Sequence, residues 1–248
     1  MSNLVDANHD PAGILNNVLR GALNIPGAKI NRAEYLKTEL SKRVPSQQVE
    51  LAITRGVKHA AIPPSIIRDI ALSSIQWHRA GVTSASAVAG LPGGWWMAAT
   101  IPADLTQFFY HVVVILQKLA YLHNWPELFQ EGGELDDETL YVLTLFVGVM
   151  FGSSEANKVL YRLSEMLATE TANRLPKLAL TKYGIYNLTK QIAKWLGVKL
   201  TKEKFAQGVS KAIPILGAII SGGMTWVSFS QMSNKLLQSL EKRACDYA

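Results

Sequence analysis

The stretch that decides the fold class is residues 101–122, IPADLTQFFYHVVVILQKLAYL. Its β-branched centre, 112–115, is typical of a strand. The apolar residues nevertheless recur at alternating spacings of four and three, which places them on one face of a helix; they are Ile101, Leu105, Phe108, Val112, Ile115, Leu119 and Leu122. The stretch therefore predicts a helix.

Helix-start signals recur along the rest of the chain. Asn31 and Glu34 form a capping-box-like pair that opens a helix over residues 32–43, and Ser46 is expected to cap the next helix. Hairpins of alternating apolar and polar residues around Asn-Gly or Asp-Gly turns are not seen. The sequence predicts an all-α protein, a single globular bundle of roughly ten helices with central, nearly uncharged helices.

Within this bundle we expect an N-terminal helical arm over residues 1–44, packed on a helical domain over residues 45–248. No solenoid repeat, low-complexity tract or convincing linker divides the chain, which favours one compact unit.

Composition narrows the class of protein. The 248 residues are 48% hydrophobic and 18% charged, against about 25% charged in an average soluble domain. This excludes intrinsic disorder, and a single cysteine, Cys245, excludes a disulfide-stapled miniprotein. The first residues have no secretory signal pattern, so we expect a cytoplasmic protein. The net charge of +6 favours an anionic partner.

Two long stretches are almost free of charge. Residues 80–117 contain a single charged residue, Asp104, and residues 212–234 contain none. Such stretches have three possible interpretations. They are the central helices of a soluble bundle, helices that span a membrane, or glycine-rich helical hairpins that either pack inside the protein or turn outward against lipid. Charges, prolines and glycines within the candidate windows make them poor spans.

Positive charge is concentrated between residues 171 and 211, which contain nine Lys or Arg and a single acidic residue, Glu203. A helix starting near Tyr183 would separate an apolar face from Lys190 and Lys194, and such a helix can lie on anionic lipid. A solvated lysine face over an ordinary core stripe is the alternative. The candidate membrane or anionic-surface contacts are Trp95, Trp96, Lys190, Lys194, Trp195, Lys199 and Lys202.

Signatures of chemistry are sparse. Neither a nucleophile elbow nor a phosphate-binding glycine loop occurs, and the five histidines have no metal-ligand spacing, so no catalytic residue, metal or cofactor is predicted. Asp104 and His111 are candidate ligand-binding residues, because an isolated carboxylate in an apolar stretch must be capped, paired or functional. Asp104 as a helix cap is the structural alternative. Nucleic acid is not favoured, since no recognition motif is present.

Two glycine-rich segments carry a family resemblance. Residues 90–94, GLPGG, run into 101–105, IPADL, and residues 211–218, KAIPILGA, are followed by 221–223, SGG. In this order the segments resemble those of the bacterial EcsC family, over residues 45–242. The chain departs from the family pattern at Thr225, where the family has Asn, and at residues 121–125, where Tyr-Gly is usual.

The resemblance implies a bacterial, largely helical protein with no settled enzymatic activity and no catalytic residues to carry over. We therefore expect a non-enzymatic accessory or regulatory protein, cytoplasmic or peripheral at the inner membrane and linked to a transporter or a defence or stress locus. Its expected membrane contacts are the apolar glycine-rich helices and the basic face. Its expected partner is an anionic membrane surface or a membrane protein. The alternative is an unrecognised enzyme or small-ligand-binding protein with a polar site near Asp104 and His111.

Overall fold

The computed structural model describes residues 11–83, 103–129, 135–169, 190–194 and 223–246. In these ranges the chain is helical and has no strand, which confirms the all-α prediction. Residues 190–194 form a short helical segment. The longer helices are α1 (Pro11–Leu23), α2 (Arg32–Leu40), α3 (Ser46–Thr54), α4 (Pro64–Thr83), α5 (Ala103–Leu122), α6 (Asp137–Met150), α7 (Ser154–Thr169) and α8 (Gly223–Asp246).

Helix α5, which arises from the stretch 101–122, is the centre of the bundle. It packs against α1, α4, α8, α2 and α6. Between Phe108 and Leu122 only Tyr110 and Lys118 are more than slightly exposed. A β-branched run is tolerated here because burial on several sides outweighs the small loss of helix propensity.

Helix α6 is the second nearly uncharged central helix. Its residues from Val142 to Met150 are all buried, and Asp136 caps its start by accepting a hydrogen bond of 2.8 Å from the Thr139 backbone N–H. The prediction of central uncharged helices is therefore confirmed for α5 and α6. Within the described ranges, no helix combines the length and apolarity needed to cross a membrane.

A polar network ties α2 to α5. The Arg32 guanidinium donates to the carbonyls of Trp125, Ile53 and Ala52, at 2.8 to 3.1 Å. Glu127 accepts from the Arg32 backbone N–H and, at 2.7 Å, from the Tyr121 hydroxyl. Because this network satisfies its own donors and acceptors, we interpret it as structural rather than as a binding site.

Two local predictions are corrected at the second and third helices. The cap of α2 is confirmed, since Asn31 accepts from the Glu34 N–H at 2.8 Å, but the helix ends at Leu40 rather than Arg43. Beyond Leu40, the N–H groups of Arg43 and Val44 both donate to Leu40 O, so a turn rather than further helix leads to Pro45. Ser46 is not a cap, because Pro45 holds the N-cap position without a side-chain hydrogen bond and Ser46 is already helical.

A three-residue corner, residues 151–153, joins α6 to α7. The Ser153 N–H donates to Gly148 O at 2.8 Å and the Gly152 N–H to Val149 O at 2.9 Å, which is the Schellman arrangement of a helix C-terminus. Ser153 then caps α7, since its hydroxyl accepts from the Ala156 N–H at 3.2 Å. Gly152 has φ of +86°, a left-handed conformation that favours glycine.

Replacing Gly152 tests this corner. Gly152→Ala should lower the free energy of unfolding by about 1 kcal/mol, because a Cβ at positive φ is strained. A methyl group there would lie 3.5 Å from Lys235 Nζ, an ordinary contact, so backbone strain is the main effect. Urea denaturation measures the change. Gly152→Asn, which tolerates this conformation better, is the control and should lose less; equal losses would contradict the explanation.

Candidate functional site

A groove of about 610 Å³ lies between α7 and α8, and Val149 and Gly152 at the end of α6 contribute to its lining. Helix α7 supplies Ser154, Asn157, Lys158, Tyr161 and Arg162, which repeat at helical spacing and so form one stripe. Helix α8 supplies a second stripe of the same spacing, made of Lys235, Gln238, Ser239 and Lys242. We call this the basic groove, since it contains four cations.

The two helices that form the basic groove run in the same direction. Gly152, just before α7, lies beside Lys235 of α8. Further along, the Ser239 hydroxyl donates to Asn157 Oδ1 at 2.9 Å. These pairings set the stripe of α7 opposite that of α8, so that lysine and arginine side chains face the cavity from both walls.

Two acids close in sequence to these cations, Glu241 and Glu155, have hydrogen-bond or ion-pair partners other than the cations of the groove. Glu241 of α8 pairs with Arg68 of α4, on the other side of the helix. Glu155 of α7 accepts from the hydroxyls of Ser153 and Ser154. Its own backbone N–H, followed by the Ser154 hydroxyl, lowers the pKa of this carboxyl, and the positive charge of Lys158 adds to the shift.

No carboxylate is among the described residues that line the groove. In the same part of the chain, none lies within 4.0 Å of the charged nitrogens of Lys158, Arg162, Lys235 or Lys242. All four side chains are exposed. The groove is therefore a region of concentrated positive charge, and an anion is the ligand that suits it.

The short segment 190–194 adds cations near the start of this groove. Lys190 and Lys194 are exposed, whereas Ile192 and Ala193 are buried. A methyl group built on Gly148 would lie 2.9 Å from Ile192 Cγ2, which places the segment against the α6–α7 corner. The predicted contacts Trp95, Trp96, Trp195, Lys199 and Lys202 lie outside the described residues.

The predicted candidate His111 is buried and paired with a second histidine. Its Nδ1 lies 3.1 Å from Nδ1 of His78 on α4, so one ring donates and the other accepts. Gly81 makes room for the pair, because a methyl group there would lie 2.6 Å from His111 Cε1. Asp104 is in the first turn of α5, and its side chain lies outside the described part of the structure.

Burial keeps both rings neutral. It lowers the pKa of His78 to about 2, with the positive charge of Lys118 and the neighbouring His111 adding to the effect. Burial also lowers the pKa of His111 to about 4. Within the described residues, His78 Nε2 has no hydrogen-bond partner. The arrangement is a buried polar contact between α4 and α5 rather than an open site.

Lys118, which is half-buried, lies seven residues after His111 and so on the same side of α5. Its Nζ lies 5.4 Å from the ring centroid of Trp77 and 5.6 Å from that of Tyr35, both within cation–π range. Desolvation lowers the pKa of Lys118, and the charge of Glu39 opposes this shift. Trp77 itself is 65% exposed. These contacts give Lys118 partners within the protein and account for its position structurally.

Groups of three or more metal-ligating side chains are not found where the structure describes the chain. Comparison with family models, with curated protein sequences and with solved structures finds no match to this chain. The resemblance to the EcsC family stays a prediction, and the properties of the groove rest on its own residues.

The buried histidines predict a pH dependence of stability. The unfolded chain takes up protons near the ordinary pKa of 6.5, whereas the folded pair resists them down to pH 4 or lower. Stability is therefore complete above pH 6.5 and is lost as the pH falls, by up to about 1.4 kcal/mol per pH unit for each histidine.

Denaturation between pH 7 and pH 4.5 measures this slope. The double variant His78→Gln/His111→Gln should show a flatter dependence than the unmodified protein, even though its stability at pH 7 is lower. His59→Gln, at an exposed histidine, is the control and should leave the slope unchanged. Identical slopes in the protein and the double variant would contradict the burial argument.

Proposed function

We propose that this protein is a non-enzymatic accessory or regulatory protein that attaches peripherally to an anionic membrane surface. The observation that carries the proposal is the concentration of exposed cations at one region of the bundle. Lys190 and Lys194 project from a segment anchored by Ile192, next to the corner where the basic groove begins. Anionic lipid attracts such clusters, and each basic residue near the surface contributes roughly fivefold in affinity.

Attachment in this proposal is electrostatic and reversible. Insertion of α5 and α6 into lipid is not part of this proposal, since their apolar side chains are already buried against other helices. The partner is the inner leaflet of a bacterial membrane, or a membrane protein with an acidic surface. Both settings follow from the predicted EcsC resemblance and cytoplasmic location.

The alternative of an enzyme centred on Asp104 and His111 is not the one that we propose. His111 is already hydrogen-bonded to His78 in a buried contact, and its pKa is too low for it to exchange protons near neutral pH. A general base must also reach a substrate, which this closed packing between α4 and α5 does not favour.

Flotation with vesicles of phosphatidylglycerol and phosphatidylcholine tests the proposal. The protein should float with anionic vesicles at 0.1 M salt, remain at the bottom with neutral ones, and dissociate as salt screens the attraction. Lys190→Gln/Lys194→Gln should weaken binding about 30-fold, because two surface lysines are lost.

The matched control is Lys37→Gln/Arg55→Gln, which removes the same charge from exposed positions of α2 and the turn after α3. It should bind anionic vesicles like the unmodified protein. If the unmodified protein fails to float with any anionic vesicle, membrane attachment is wrong; if both double variants lose binding equally, the effect is one of net charge and not of this segment.

A further inference from the structure

The cations of the basic groove are spread along its length rather than gathered at one point. Lys235 and Lys242 are seven residues apart on α8, which corresponds to about 10 Å along the helix axis. Lys158 and Arg162 face them from α7, as the Asn157–Ser239 hydrogen bond shows. A single phosphate group is too small to reach all four, so the charge distribution fits an anion with several charged groups.

The dimensions of the groove also fit a small ligand. Its volume of about 610 Å³ falls within the range of about 300 to 1,000 Å³ that is typical of small-molecule sites. Arg162 can hold a phosphate through two parallel N–H donors, and lysines supply point charges to neighbouring groups. Tyr161, which is 38% exposed, places an aromatic ring beside these donors.

The absence of acids from the described lining distinguishes the groove from an ordinary solvated surface. Two polar helix faces usually meet through cations and anions in alternation, which lowers the repulsion between like charges. Here Glu241 pairs with Arg68 of α4, and Glu155 accepts from Ser153 and Ser154 at the edge of the groove without being among the described residues that line it. Four like charges around one cavity raise the energy of the empty protein, and a bound anion relieves that repulsion.

We infer that the basic groove binds an anion that carries two or more phosphate groups, either free in solution or as a lipid headgroup. This inference deepens the proposed function and rests on it for the anionic nature of the partner. It adds a defined site and a ligand class, because a general electrostatic attraction would not distinguish linked phosphates from separate ones at equal charge density.

Calorimetric titration of the full chain with tripolyphosphate, orthophosphate and citrate tests the soluble form of the ligand. At 0.15 M salt, tripolyphosphate should bind at least about tenfold more tightly than orthophosphate, since more cations contact one ligand. Citrate, a polyanion without phosphate, should bind more weakly than tripolyphosphate. Equal binding of citrate and tripolyphosphate would overturn the assignment of phosphate.

The site itself is tested with Arg162→Gln/Lys235→Gln, one cation from each wall. Both side chains are exposed, so the fold should survive, and circular dichroism and thermal unfolding check this. The variant should lose at least about tenfold in affinity for tripolyphosphate. Lys37→Gln/Arg55→Gln, with the same change in net charge, should stay within about twofold. Equal losses in the two variants would overturn the site.

Vesicles distinguish the lipid source from the soluble one. Cardiolipin, which joins two phosphates in one headgroup, is compared with phosphatidylglycerol at equal surface charge. Preference for cardiolipin that is lost in the groove variant and is competed by tripolyphosphate supports a lipid headgroup. If the groove variant loses tripolyphosphate binding but binds vesicles like the unmodified protein, the ligand is a soluble phosphate. If the groove variant binds both tripolyphosphate and cardiolipin vesicles like the unmodified protein, the inference is overturned.

The two proposals can fail separately. If the protein floats with phosphatidylglycerol vesicles through Lys190 and Lys194, but Arg162→Gln/Lys235→Gln changes neither tripolyphosphate nor cardiolipin binding, membrane attachment stands and the groove site is wrong. If no anionic vesicle binds, but tripolyphosphate binds and is lost in the groove variant, membrane attachment is wrong and the groove is a site for soluble phosphates.

Discussion

Helix α5 has almost no face left for water, because α1, α2, α4, α6 and α8 pack around it. Each polar group that it contains must therefore find a partner within the protein. Gln117, which is fully buried, accepts from the Ile30 N–H at 2.8 Å and donates to Ala28 O at 2.7 Å. These bonds attach the connection between α1 and α2 to the central helix, where apolar contacts alone would allow sliding.

The same constraint accounts for the polar contacts toward α4. His111 and Lys118 lie on the side of α5 that α4 covers, and each is matched by a neighbouring residue of α4, His78 and Trp77 respectively. A histidine pair satisfies one nitrogen of each ring without a charge, which suits a dry interface better than an ion pair. The surroundings of His111, which the sequence predicted as part of a candidate site, are thus a contact between the two helices.

Periodicity predicted α5 because a long apolar repeat dominates its local energy, and the cap at Asn31 followed from side-chain chemistry that acts within one turn. The partner of His111 was not predictable in this way. His78 is 33 residues away in another helix, and nothing in either local pattern selects the other.

The basic groove was missed for the same reason. Its two stripes belong to α7 and α8, whose sequences are far apart, and each stripe alone reads as the solvated side of an amphipathic helix. What distinguishes the groove from a solvated helix face is the position of the neighbouring acidic side chains rather than that of the lysines. Glu241 is adjacent to Lys242 in sequence, yet in the structure it pairs with Arg68. This pairing depends on the packing of α8 on α4, which the sequence does not reveal.

The origin of the groove follows from how α8 divides its surface. Phe229, Met232, Leu236, Leu237 and Leu240 are buried, and α8 packs more extensively on α4, α6 and α5 than on α7. What remains for α7 is the polar side. Cations on two facing helices cannot give up their water without a partner, so the helices stay apart and a cavity remains between them. An anion held there would contact both helices at once, and it would join α7 and α8 through the ligand where the protein itself makes few contacts. Binding in the groove and stiffening of this edge of the bundle are therefore expected to be one event, because the same side chains supply both.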